Sequence, residues 1–255
     1  MNREPSRRQF LQLGNSAVLT SLLAGKSFGE TMELREAKDA VDHLVLGVSD
    51  LDRGIEWFEQ KTGVRPVVGG RHPNRGTQNA LASFSNRGSG GGVRQYLEIM
   101  APDPQQAGHE RGAELLKLTS PRLVLWASAT TEIGALAQAA KPAKLAALGP
   151  LDGSRVRPDG KLLKWRTLNV AREVDKGLLY FNVLPFFIQW AEGSPHPSQD
   201  SPRGCRLLSL EFAHPEAAAI RAAMKSLGIN AKVSKATAPA IKATLQTPKG
   251  KVELV

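Results

Sequence analysis

Residues 43–49 read HLVLGVS, and residues 122–128 read RLVLWAS. Each is a short apolar run with the composition of a buried strand. The second run repeats the Leu-Val-Leu of the first, but it opens on Arg122 where the first opens on His43. An imidazole can offer a lone pair to a metal, whereas a guanidinium stays protonated and offers none. A strand written twice with its first residue exchanged therefore bears on both the fold and the chemistry.

The flanking sequence extends the repeat. After the first run, Asp50-Leu51-Asp52 signals a helix start, and the pattern through Ile55, Trp57, Phe58 and Lys61 stops at Gly63. Val64–Val68 reads as a short strand and residues 69–76 as a loop. Thr77–Phe84 and Val93–Met100 read as strands around the glycine-rich turn 88–92, and Pro102-Asp103-Pro104 closes a β-α-β-β-β unit. Glu110–Leu118 reads as a linking helix. The second unit takes its strand from Leu123–Trp126 and its helix from Thr131–Ala140. Its later strands are Leu162–Leu168, Leu178–Phe181 and the apolar run PFFIQW at 185–190. The Pro158-Asp159-Gly160 segment reads as a plain turn. A third copy starts at Arg206, with a helix from Pro215 to Leu227 closed by Gly228. It ends in a hairpin of Ile241–Gln246 and Lys251–Val255. Starts at residues 43, 122 and 206 give a period of about 80, too long for a solenoid and suited to duplicated small domains.

With 255 residues and 41% hydrophobic content the chain can bury a real core. Its net charge of +10 favours anionic ligands or surfaces. Zinc-finger spacing, a helix-turn-helix signal and an aromatic-rich basic strand are all lacking, so a nucleic-acid partner is not expected. The single cysteine, Cys205, rules out an intrachain disulfide and reads as a small apolar residue. At the N-terminus SRRQFL (6–11) precedes a short, moderately apolar stretch. This resembles the twin-arginine export signal, with cleavage after Gly29, and implies the twin-arginine machinery as a partner and a periplasmic or secreted location. No apolar run is long enough for stable membrane insertion after cleavage.

The stretches 42–63 (DHLVLGVSDLDRGIEWFEQKTG), 69–81 (GGRHPNRGTQNAL), 96–104 (YLEIMAPDP), 155–166 (RVRPDGKLLKWR) and 185–198 (PFFIQWAEGSPHPS) carry a family resemblance. On them the chain resembles the glyoxalase-like domain proteins of the vicinal oxygen chelate superfamily. The resemblance implies an α+β fold of paired βαβββ modules. Residues 1–29 would be the signal peptide. Residues 40–193 would form the glyoxalase-like domain, with modules 40–104 and 120–193, and 203–255 a related C-terminal segment packed on it. It further implies a cleft whose metal ligands come from the first and fourth strands of each module.

Carried over residue by residue, that pattern gives His43 and Glu98 as metal ligands from the first module. Arg122 and Gln189 stand at the matching positions of the second. Imidazole and carboxylate suit a divalent Fe, Mn, Ni, Co or Zn ion. Arg122 cannot ligate, and a Gln carbonyl is a weak ligand. Two arrangements follow. In one, His43 and Glu98 hold a metal with waters or with His72 or His196. In the other there is no metal, and Glu98 pairs with Arg122 in a cleft that recognises a polar or anionic molecule. Glu98 and Arg122 are thus the expected catalytic pair, with Thr77, Asn79, Gln189 and His196 as ligand-binding residues. Alternation sets Glu98 on the face opposite Leu97 and Ile99. Trp57 and Glu253 read as structural, and Trp190 as either core or a ligand platform. The function expected is action on, or binding of, a small anionic or oxygen-rich molecule. The alternatives are metal-free sequestration, as in bleomycin-resistance-like relatives, and an interaction module with a basic surface.

Overall fold

The computed structural model describes residues 33–84, 94–175 and 181–255. The proposed signal peptide and most of the strand expected at Leu178–Phe181 lie outside them. After β1 (Arg35–Glu36) and the single turn α1 (Ala37–Ala40), the first module runs β2 (Val41–Gly47), α2 (Leu51–Thr62), β3 (Val67–His72), β4 (Thr77–Ser83) and β5 (Tyr96–Pro102). A linking helix α3 (Glu110–Leu116) leads to the second module. This comprises β6 (Arg122–Ala129), α4 (Ile133–Ala140), β7 (Leu145–Val156), β8 (Leu162–Arg172) and β9 (Phe186–Trp190). The C-terminal segment is β10 (Arg206–His214), α5 (Ala217–Ser226), β11 (Ile229–Asn230), β12 (Lys232–Lys235), β13 (Ala240–Thr247) and β14 (Gly250–Leu254).

Local signals account for most of these boundaries. Asp50 accepts a hydrogen bond from the Arg53 amide at 2.9 Å and so caps α2. Gly63 ends that helix with φ 78°, a left-handed conformation that glycine adopts without steric cost. Leu51, Ile55 and Phe58 share the buried face of the helix, each contributing about 1.5–3 kcal/mol through loss of water contact.

The two modules form one eight-stranded sheet in the order β3-β4-β5-β2-β6-β9-β8-β7. Each module has the same internal order, and the first strand lies parallel to the fourth in both. They join through antiparallel β2 and β6, which set His43 beside Ala127 and Arg122 beside Gly47. Strand alternation divides the faces. Leu44, Leu46, Leu97, Ile99 and Trp126 enter the core beneath the helices, while His43, Tyr96, Glu98 and Met100 line the other, concave face.

The sheet curls until its outer strands approach. Buried Arg155 on β7 donates to the carbonyl of Gly69 on β3. The Gly69-Gly70 pair permits this contact. A Cβ on Gly70 would lie 3.0 Å from the Arg155 guanidinium, and Gly70 has φ 129°. Residues 69–72, read from sequence as loop, are therefore strand with a bulge between Val68 and Gly70. β7 was not legible either. Its sequence, LAALGPLDGSRV, carries the punctuation of a loop, yet it pairs with β8 along its length.

The C-terminal segment has the element order of the modules but a different strand order, β12-β10-β13-β14. Its first strand sits between the second and third. It shares the main core, where Phe212 packs at 5.3 Å from Trp126, and it leaves the cleft to the two modules. No helix among the described residues is long and apolar enough to cross a membrane.

Candidate functional site

The concave face carries an open cleft lined by residues of both modules. Its polar end is built around Asp42, the first polar residue of β2. This buried carboxylate accepts from His43 Nδ1 at 2.7 Å, Trp190 Nε1 at 2.9 Å and His196 Nε2 at 3.1 Å. Burial opposes its ionisation, but the hydrogen bonds from His196 and His43 outweigh burial and hold its pKa down to about 2. With Nδ1 donating to Asp42, the His43 Nε2 position faces the cleft. The Tyr96 ring stacks on the imidazole at 4.6 Å and fixes its plane.

Glu98 lies across from His43, only 5% exposed, with its Oε2 3.6 Å from His43 Nε2. Its other oxygen, Oε1, accepts from Asn79 Nδ2 at 2.5 Å and sits 3.3 Å from His72 Nε2. Burial again works against charge, yet His72, His43 and Asn79 together hold this carboxyl well below the usual carboxylate range. A buried cation in range of Glu98 is Arg155, 5% exposed and placed by Gly69 and by Asn79 Oδ1 at 3.5 Å. Burial lowers the Arg155 pKa, and the charge of Glu98 counters that effect. Arg155 remains protonated at any ordinary pH. Burial, and then Asp42 and Glu98, push the Tyr96 phenol well above its ordinary range. The second module contributes Trp165, Thr167, Phe186, Ile188 and Trp190 to the opposite wall.

His43, Glu98 and Asn79 converge on the cleft. The other assignments change. Arg122 does not pair with Glu98: it is exposed at the far end of the β2–β6 pair, with its guanidinium over the Phe181 ring at 5.0 Å. The two matched first residues are separated because antiparallel strands put their starts at opposite ends. Gln189 is not in the cleft. Its Oε1 accepts from the Ile133 amide at 3.2 Å, at the start of α4, while Ile188 and Trp190 face the cleft. Matching Gln189 to Glu98 puts it on the wrong face of its strand, because neighbouring strand residues face opposite ways. Thr77 is covered by His72, whose Nδ1 lies 2.8 Å from its hydroxyl. His196 stands behind Asp42 with its other nitrogen on Ser198, at 2.8 Å, and is not available as a ligand to a metal at His43. Trp190, read as either core or a ligand platform, is a wall of the cleft. Asp42 and Arg155 carried no sequence signal beyond lying in stretches that resemble the family.

Among the described residues no three His, Cys, Asp or Glu side chains are placed to hold one metal ion. His43 and His72 approach different oxygens of Glu98, and Asn79 already occupies the His72 side. A resident divalent metal would have two protein donors, His43 and Glu98, which is one fewer than a catalytic site of this kind ordinarily uses. The donor set does not fit a resident metal.

A family model described as glyoxalase-like domain matches residues 41–228. Among solved structures, a hypothetical protein from Staphylococcus aureus is similar with 13% identity and a TM-score of 0.60, covering 84% of this chain and 98% of its own. A point variant of Streptomyces coelicolor methylmalonyl-CoA epimerase, in complex with 2-nitronate-propionyl-CoA, aligns with 18% identity and a TM-score of 0.44, covering 61% of this chain and 97% of its own. The Mycobacterium tuberculosis methylmalonyl-CoA epimerase aligns with 18% identity and a TM-score of 0.40, covering 62% and 91%. At such identities the likeness concerns fold alone. No curated protein matches the chain in sequence.

Proposed function

The chain belongs to the glyoxalase-like domain family, and from that premise we propose that its cleft binds a small, oxygen-rich anion and moves a proton on it. One observation carries the proposal. A buried, ionised carboxylate, Glu98, faces an imidazole held from behind by Asp42, with a buried guanidinium beside it and open space in front. Such a grouping separates a base from a fixed positive charge, as proton abstraction next to a carbonyl requires.

In this reading a ligand carbonyl or carboxylate oxygen lies toward Arg155, and the acidic carbon lies between Glu98 and His43. Glu98 takes the proton, and the C–H electron pair becomes the double bond of an enolate. Negative charge develops on the ligand oxygen within the field of Arg155. The proton, or a deuteron exchanged onto Glu98 from solvent, then returns from Glu98 to the same carbon. The 3.6 Å gap between His43 Nε2 and Glu98 Oε2 exceeds a hydrogen bond and leaves both groups turned to the ligand. Residues 6–11, SRRQFL, support a further proposal that the protein is exported by the twin-arginine route. Replacing Arg7 and Arg8 together by Lys should hold the precursor in the cytoplasmic fraction, and unchanged export would overturn that proposal.

The central test is exchange of the methyl protons of pyruvate in D₂O, followed by NMR, with calorimetric binding of pyruvate and acetate in parallel. Exchange lost in Glu98→Gln with binding retained supports proton transfer. Binding without exchange in the wild type supports sequestration instead, and neither binding nor exchange overturns the reading. Metal analysis beside His43→Ala is the accompanying control. One equivalent per chain, lost in the variant, would replace the metal-free account of the site.

A further inference from the structure

The second-module wall of the cleft holds two indoles in contact. Trp165 of β8 and Trp190 of β9 are directly paired across their strands, and both line the cleft while only half-buried. Their rings are 5.6 Å apart and tilted by 58°, so neither covers the whole face of the other. Each is held in place. Trp190 Nε1 donates to the buried Asp42 at 2.9 Å, and His196 meets the same ring edge-on at 5.3 Å. Trp165 lies against Gly153, its partner on β7, where a Cβ would collide with the indole. A cross-strand tryptophan pair stabilises a sheet wherever it sits. This one also keeps ring surface toward open space, and its placement depends on a buried carboxylate and on the missing side chain at residue 153.

Arg155 follows Gly153 by two residues on the same face of β7. It is therefore the diagonal neighbour of Trp165 across the β7–β8 pair, a spacing of about 7–8 Å. One small molecule can reach both. The cleft has a volume of about 100 Å³ and is open on one side. A ring can thus lie on its wall without the fully enclosed space of about 150 Å³ that takes benzene in an apolar interior.

Resting on the proposed anion site, we infer that the ligand is an aromatic acid. Its carboxylate lies by Arg155, and its ring lies on the indole of Trp165 beside Trp190. Aromatic rings gain from offset or edge-to-face contact with an indole beyond the area they bury, and a saturated ring of similar size forgoes that gain.

The test is calorimetric binding of phenylacetate and cyclohexylacetate to the full chain. The two share a carboxylate and a six-membered ring, so their affinity ratio isolates the aromatic contribution. Phenylacetate should bind about two- to twelvefold more tightly. Trp165→Leu should bring that ratio to about one, and Trp165→Phe should restore part of it. Arg155→Gln should weaken both acids together. Equal affinities in the wild type, or a preference that survives Trp165→Leu, overturn the inference and leave the anion site standing. If Trp165→Leu binds neither acid, the ratio in Trp165→Phe decides: a reduced preference supports the inference, and an unchanged one overturns it by making the tryptophan pair a sheet contact alone. Phenylacetate binding indifferent to Arg155→Gln places the ring elsewhere and overturns the inference. Binding of neither acid nor acetate by the wild type overturns the anion site itself, and the inference with it.

Discussion

The two halves of the cleft have one fold and two chemistries. The first module supplies His43, His72, Asn79, Tyr96 and Glu98. The second supplies three aromatic rings, Ile188, Thr167 and the buried cation Arg155. Their strand orders match, and both first strands read Leu-Val-Leu. The difference follows from how the copies meet. Antiparallel pairing carries His43 into the cleft beside Ala127, and carries Arg122 away to Gly47 and Phe181. Equivalent positions in a duplicated fold therefore need not share one site. Here the titratable groups of the cleft wall, His43, His72 and Glu98, belong to one copy, and the aromatic wall belongs to the other.

If that division holds, the largest effect should come from Glu98→Gln. Losing the base while keeping the shape should slow proton exchange on pyruvate by about 10²- to 10⁴-fold, read as the NMR exchange rate. A change of less than a few-fold would break the assignment. Asp42→Ala comes next. It leaves the His43, His196 and Trp190 donors facing no acceptor in a buried setting. A loss of about 3–5 kcal/mol in urea denaturation is expected, as for breaking one side of a buried polar pair. The pH dependence of stability sharpens the same point. The Asp42 pKa is lower in the folded chain, about 2, than its ordinary value of 3.8. Its contribution is therefore complete above about pH 4 and is lost as pH falls toward 2, an effect of about 2 kcal/mol. Glu98, shifted in the same direction, adds to that loss. Asp42→Asn should flatten the wild-type decline between pH 4 and pH 2, and an equally steep decline in the variant would remove Asp42 from the account.

The sequence made the module order legible because its signals are local. Alternation, the Asp50 cap and the Gly63 stop each depend on a few neighbouring residues. Alternation likewise identified Glu98 as facing away from Leu97 and Ile99, and the structure has it so. What stayed hidden depends on contacts distant in sequence. Arg155 acts because a sheet of eight strands curls until β7 reaches Gly69, 86 residues away. Asp42 matters because His196 returns to it across 154 residues. Nothing within either segment announces such a meeting. The error at Gln189 is of another kind. Matching it to Glu98 by sequence did not fix which face of its strand it takes, and neighbouring strand residues face opposite ways.

The smallest expected effects are the most discriminating for the comparison, because they fall on the residues that sequence matching would have put in the site. Gln189→Ala removes the acceptor of the Ile133 amide at the start of α4. It should cost about 1 kcal/mol in stability and leave acetate binding and pyruvate exchange unchanged. Arg122→Gln removes only an exposed cation over Phe181, a contact worth about 0.5–1 kcal/mol. It should leave acetate binding unchanged. Exchange should continue at the wild-type rate. If Arg122→Gln instead stopped exchange as fully as Glu98→Gln, the two strand starts would share one chemistry despite lying at opposite ends of the β2–β6 pair. The division of labour between the halves would then have to be abandoned.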